Sequence, residues 1–332
     1  NTVIGRQAWG VGVGVAGYNV VVGALALLSG TTAAENVIMG YNAAGNATTL
    51  QRTVVIGNDA ALGIAGGSNN EDGVYIGDSA GGTAVSGMRN TLVGKSAGGN
   101  AFAALTESTF IGASAGVGVS GAYNTFVGYS AGSASNSTTQ STGVGYNVIK
   151  SVTGNANTAL GFGVMADGAG DGGANVGIGS RVLQALTGGD RNTGIGNYTL
   201  SAVTTQNDNV SMGDEAGKKI NTSNNVFIGS RAGEKQAGGS GGNTLIGAWA
   251  ARGDSDLFSG SYNTVMGSYA LGDVLLKDTS RNVYLGYKAG FEARSVTDNV
   301  VIGYEDAYNA TGGYQNVIIG KDAAYSETTG HS

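Results

Sequence analysis

The nine residues STFIGASAG at 108–116 return as NTFVGYSAG sixteen residues later. Aligned on the pattern Asn-[Thr/Val]-x-aliphatic-Gly-x-x-Ala, nineteen copies of this phrase run along the chain. Their glycines, among them Gly5, Gly40, Gly94, Gly128, Gly196, Gly229, Gly286 and Gly320, stand 16 to 20 residues apart. With a period of this size each repeat is too small to bury its own apolar face and gains a core only by stacking on its neighbours. The chain therefore reads as all-β, a parallel β-solenoid or β-roll of about nineteen short coils, one continuous array over 1–332 without an internal boundary.

Each place in the phrase has a physical reading. Position two is Thr or Val in all nineteen copies, from Thr2 to Val317, and position four is Ile, Val, Leu or Met in every one, as in Ile4, Met39, Ile111 and Leu285. β-Branched residues favour extended backbone, and alternate residues of a strand share a side, so positions two and four are expected to face a core. The Gly at position five never varies, which marks a corner needing positive φ or close backbone approach. The leading Asn is present in fifteen copies and replaced by Thr53, Gly73, Ser108 and Ser141. Asn tolerates the left-handed region, so it is expected at the turn, and its stacked copies form an amide ladder.

Position three varies in step with the residue six places on. Tyr75, Phe110, Phe126, Phe227 and Tyr284 are each followed there by Gly, whereas Gly143, Ala159, Gly177 and Gly194 are followed by Ile149, Met165, Leu183 and Leu200. Volume traded between two places means that they fill one packed space. This layer is expected on the opposite side of the strand from the first core, closed between chains by cyclic symmetry at or near a threefold axis. Ser211 with Gly217 breaks the pattern.

Composition agrees with a paired backbone, since there are 62 glycines and no proline. Proline cannot donate to a ladder and is confined in sheets to edges and bulges. The net charge of −6, from 17 basic and 23 acidic residues, offers no basic footprint for nucleic acid. The absence of cysteine removes disulfides and thiolate chemistry together. The most apolar window, 11–28, carries glycines throughout and Asn19 in its middle and fits the repeat, so no membrane insertion is expected. Because the first residue is Asn1, the chain is taken as a fragment or processed part of a longer fibre protein.

Chemical motifs are sparse. The acidic residues are scattered without a recurring column, and DGAGDGG at 167–173 reads as a Gly-rich turn rather than a calcium loop. No catalytic residue, metal or cofactor is expected, and the chain reads as a non-enzyme. Outward contacts are a different matter. The residue after the corner is aromatic at Tyr41, Tyr129, Tyr146, Phe162, Tyr287 and Tyr304, where rings can stack on sugars or receptor groups, or on one another as a cover for the array. The longest segments between corners, 58–76 and 248–266, add candidate contacts at Arg252, Asp254 and Asp256 in RGDSD.

The phrases NTFVGYSAG, NTLVGKSAGG and NVFIGSRAGEKQAGGSGGNTLIG resemble the repeats of phage tail-fibre proteins and, more distantly, the head repeats of trimeric autotransporter adhesins. The resemblance covers essentially the whole chain. It implies an intertwined or side-by-side homotrimeric fibre outside the cell, on a virion or a cell surface, attaching to a glycan or protein receptor, with end-to-end assembly of a secreted filament as the alternative. IGRQAW at 4–9 also resembles the hexapeptide of left-handed β-helix acyltransferases, but their catalytic histidine has no counterpart here, where the sole histidine is His331.

Overall fold

A computed structural model describes residues 1–10, 17–64, 71–82, 87–100, 105–236, 238–253, 259–272, 279–309 and 311–324. The chain falls into two compact units, Asn1–Asp171 and Gly172–Ser332. Both are parallel β-solenoids, and no helix occurs among the described residues.

In the first unit, strands begin at position two of ten successive phrases, from Thr2–Ile4 to Thr158–Phe162. Each pairs in parallel with the strand one coil away, and the register never slips: Thr2 lies opposite Val20, Val20 opposite Val37, and Thr142 opposite Thr158. A short second sheet, Thr32–Ala34 with Thr49–Gln51, closes another side of two of these coils. The second unit repeats the plan with nine strands, from Val176–Ser180 to Val317–Lys321, again paired like with like.

The corner glycines explain why the period tolerates no substitute. All nineteen have φ between +128° and +153°, a region that L side chains rarely adopt. A Cβ on Gly5, Gly40, Gly94, Gly128, Gly196, Gly229 or Gly286 would also fall on the carbonyl oxygen of the next coil's corner glycine. Gly320 keeps the same φ, +153°, with only Ala323 near its missing Cβ. Conformation and close approach thus act together at this position.

The core lies on the other side of the strand from the one expected. Position three points into the coil, and Ile38, Tyr75, Phe110, Phe126, Phe227 and Tyr284 are at most 1% exposed. Positions two and four point outward: Val37 is 36%, Met39 42%, Ile111 40% and Leu160 47% exposed. A coil this narrow has one interior, and only one face of each three-residue strand can reach it. The Phe/Gly layer therefore closes within a single chain and has no need of a threefold axis.

Inside the coil the volume trade is direct. A Cβ on Gly81, Gly116, Gly132, Gly233 or Gly290 would run into the ring six residues earlier. Where position three is small, Ile149, Met165, Leu183 and Leu200 fill the space and are fully buried. The Ser211 exception resolves across coils: the room beside Gly217 is taken by Phe227 from the next coil and Leu200 from the previous one.

The amide ladder forms, although the asparagines do not carry the turn. Asn263 donates through Nδ2 to Asn243 Oδ1 at 3.0 Å and to the Thr279 carbonyl at 2.8 Å, and its Oδ1 accepts the Asn282 backbone N–H at 3.0 Å. The same links run from Asn175 through Asn192, Asn209, Asn225 and Asn243, and on through Asn282 and Asn299 to Asn316. Positive φ falls instead on the residue before the ladder position, as in Glu35 at 61° and Asp298 at 61° before an Asn and Arg52 at 50° before Thr53. At that place the N–H turns along the stacking axis, so Glu35 donates to Gly17 and Arg52 to Ala34 of the preceding coil. The inter-coil bond offsets part of the roughly 1–2 kcal/mol that an L residue incurs in the left-handed region.

Candidate functional site

The outward side chains stand in columns, because equal places in successive coils stack at strand spacing, about 4.8 Å. Three columns are rich enough in polar or aromatic groups to be functional.

The first stands at the residue before the ladder position, whether that position holds Asn or its replacements Thr53, Gly73 and Ser108. Arg52 pairs with Asp72 at 2.6 Å and Glu71 at 2.7 Å, Arg89 with Glu107, Arg191 with Asp208 at 2.6 Å, and Arg281 with Asp298 at 2.6 Å. Hydrogen bonds from Arg52, Arg191 and Arg281 hold the carboxyls of Asp72, Asp208 and Asp298 below the usual range. The acids therefore do recur in a column, one coil from a partner arginine. The sequence hid this because the pairing interval, 17 to 20 residues, follows the uneven coil length.

The second column follows the corner. Tyr129 stacks on Tyr146 with centroids 5.4 Å apart, Tyr146 on Phe162 at 5.1 Å, and Tyr287 on Tyr304 at 5.4 Å. The rings thus cover one another and present their edges. Tyr41, 54% exposed, stands between the non-aromatic Ala24 and Asn58 of the same column and joins no ring stack. Burial inside the coil acts on different phenols: it pushes the Tyr75 hydroxyl up to about 12, and Tyr284 higher still.

The third column, two residues beyond the corner, was not singled out in the sequence. This residue has φ between +50° and +63° in all nineteen coils, whatever its type. In the first unit it is small or polar in every coil but that of Leu25, and Asp59, Ser79 and Ser96 line a shallow groove of about 320 Å³ with Leu62, Gly82, Gly99 and Asn100. In the second unit it carries Tyr198, Glu215, Arg231, Trp249, Tyr269 and Lys288. The Arg231 and Arg252 guanidiniums lie 4.9 and 3.9 Å from the Trp249 ring centre, and Tyr269 stacks against it at 5.8 Å. Glu215 and Glu234 neutralise the two arginines at 3.0 and 3.2 Å. The signal was present as a contrast of residue size between the two halves of one column.

Arg252 lies over Trp249 and pairs with Glu234, whereas Asp254, Asp256 and His331 lie outside the described residues. Among the described residues no group of three His, Cys, Asp or Glu side chains could hold a metal ion, and no helix is long and apolar enough to cross a membrane. These features define a parallel β-solenoid whose corner glycines and ladder asparagines hold coil to coil and whose outward residues stand in columns. No protein-family model, curated protein or solved structure matches the chain.

Proposed function

We propose that the chain is a segment of a homotrimeric, non-enzymatic fibre, similar to a phage tail fibre, that attaches to a cell surface from outside the cell. The observation that carries this reading is the division of labour among positions. The invariant corner Gly, the ladder position that is Asn in fifteen of nineteen coils and the inward third position are spent on stacking, and apart from the uniform positions two and four the outward residues change from coil to coil. A stiff frame that repeats many weak outward contacts gains avidity beyond that of any single site. The aromatic and cationic column around Trp249 has the residue types that dominate recognition surfaces.

The test is retention of the fluorescently labelled protein on a panel of intact bacterial cells, before and after removal of surface polysaccharide or protein. Saturable retention on some cells, lost with one of those layers, supports attachment. No retention on any cell, together with particles that lengthen with concentration under the electron microscope, replaces it with a filament-forming role.

A further inference from the structure

The outward face of the long sheet remains unexplained by anything above. Within one chain, positions two and four have no packing duty, yet over nineteen coils they carry only Thr, Val, Ile, Leu and Met, without one charged residue. Solvent alone does not keep a face so uniform, and contiguous apolar patches of more than a few hundred Å² mark interaction surfaces. In the first unit Val20, Met39, Ile111 and Leu160 belong to this face and are 39%, 42%, 40% and 47% exposed. In the second unit Val210, Met212, Ile228 and Met266 do the same at 39%, 45%, 36% and 43%.

We infer that this face is the seam along which copies of the chain associate, parallel and in register. Three arguments commit the face to another copy. A partner that touches ten successive coils must repeat with the same rise per coil, and a second copy of this chain does so by construction. The face also has no charge with which to select a charged partner. Finally, at roughly 100 Å² of apolar surface per coil, ten coils offer about 1,000 Å², above the roughly 800 Å² per partner of a stable interface. Thr and Val at position two are close to isosteric, so that column is level from coil to coil and two copies can meet without steps. Where the strand runs through the corner, as in Thr142–Tyr146 and Thr158–Phe162, alternation places Tyr146 and Phe162 on the same face and widens the seam.

This inference rests on the fibre reading for its stoichiometry, and one set of measurements separates the two. Light scattering on the intact protein is expected to give a multiple of the 32.8 kDa chain mass. The Ile111→Glu/Val144→Glu variant, whose two carboxylates lie on the seam two coils apart, is expected to fall to the mass of one chain with the β-sheet circular dichroism signal retained. Because that variant can also fail to fold, single cysteines are placed in the otherwise cysteine-free chain. Val144→Cys on the face should cross-link between chains on mild oxidation, and Ser137→Cys, exposed on another side, should not. A multimer that survives the glutamates and does not cross-link through position 144 overturns the seam and leaves the fibre reading standing. A wild-type mass of one chain overturns both the seam and the homotrimer.

Discussion

The ring of Phe126 lies so close to the Cα of Gly132, six residues on in the same coil, that no Cβ fits at position 132. The two residues occupy one space, and the neighbouring coil fills the equivalent space the other way round, with Gly143 and a fully buried Ile149. Phe126→Gly should cost about 3–5 kcal/mol as a cavity. Adding Gly132→Leu should recover at least about 1 kcal/mol, because leucine already adopts positive φ at this place in Leu183 and Leu200. Denaturant unfolding of the two single variants and the double reads the coupling, and strictly additive losses would refute shared volume.

Asn263 shows what the ladder contributes. Asn263→Ala deletes two donated and two accepted bonds in a buried site, and a loss of about 2–4 kcal/mol is expected. Asn263→Ser should be milder, since Ser108 and Ser141 already hold this place and accept the next Asn N–H at 3.2 and 3.1 Å. Thermal melts of both variants give the order, and an alanine as mild as the serine would contradict the ladder.

The corner should be the least tolerant position in the chain. Gly229→Ala combines φ of +128° with a Cβ directed at the Gly247 carbonyl, so at least about 3 kcal/mol should be lost. Gly17→Ala, with nothing within 4 Å of the added Cβ and no positive φ, should be neutral within about 0.5 kcal/mol. Proteolytic susceptibility at 25 °C separates the two.

The arginine column gives a signed pH dependence. Asp72, Asp208 and Asp298 titrate below their usual range in the folded chain, so their contribution is present above the unfolded value of 3.8 and is lost as pH falls through the lowered ones. The pairs are exposed, so the effect is small and weakened by salt. Replacing Arg52, Arg191 and Arg281 together by Gln should flatten the fall in melting temperature between neutral pH and pH 3. An unchanged slope would show that other carboxyls set the acid limit.

At the alkaline end Tyr75 acts in the opposite sense. Its folded value, raised from 10.0 to about 12, means that its contribution is full below pH 10 and is lost as pH rises through about 12. Tyr75→Phe should shift the alkaline unfolding midpoint upward, and ultraviolet titration should show one phenol fewer ionising late.

Much of this architecture was written in the letters. The period, the strand at positions two to four, the corner glycine, the amide ladder and the Phe/Gly trade each depend on one residue type recurring at one place, and short-range sterics fix their meaning wherever the coil points. The direction of the coil was another matter. Val37 and Met39 look as core-like as Ile38, and only closure of the backbone into a narrow loop turns Ile38 inward and leaves the other two outside. The left-handed residue at Trp249, Arg231 and Lys288 was equally hidden, because its conformation is set by the N–H it sends to the preceding coil and not by its side chain. The pairing of Arg191 with Asp208 likewise needs the coil length that places residues 17 apart in sequence side by side in space. Local chemistry chose the elements of this protein, and stacking decided which of their faces meet water.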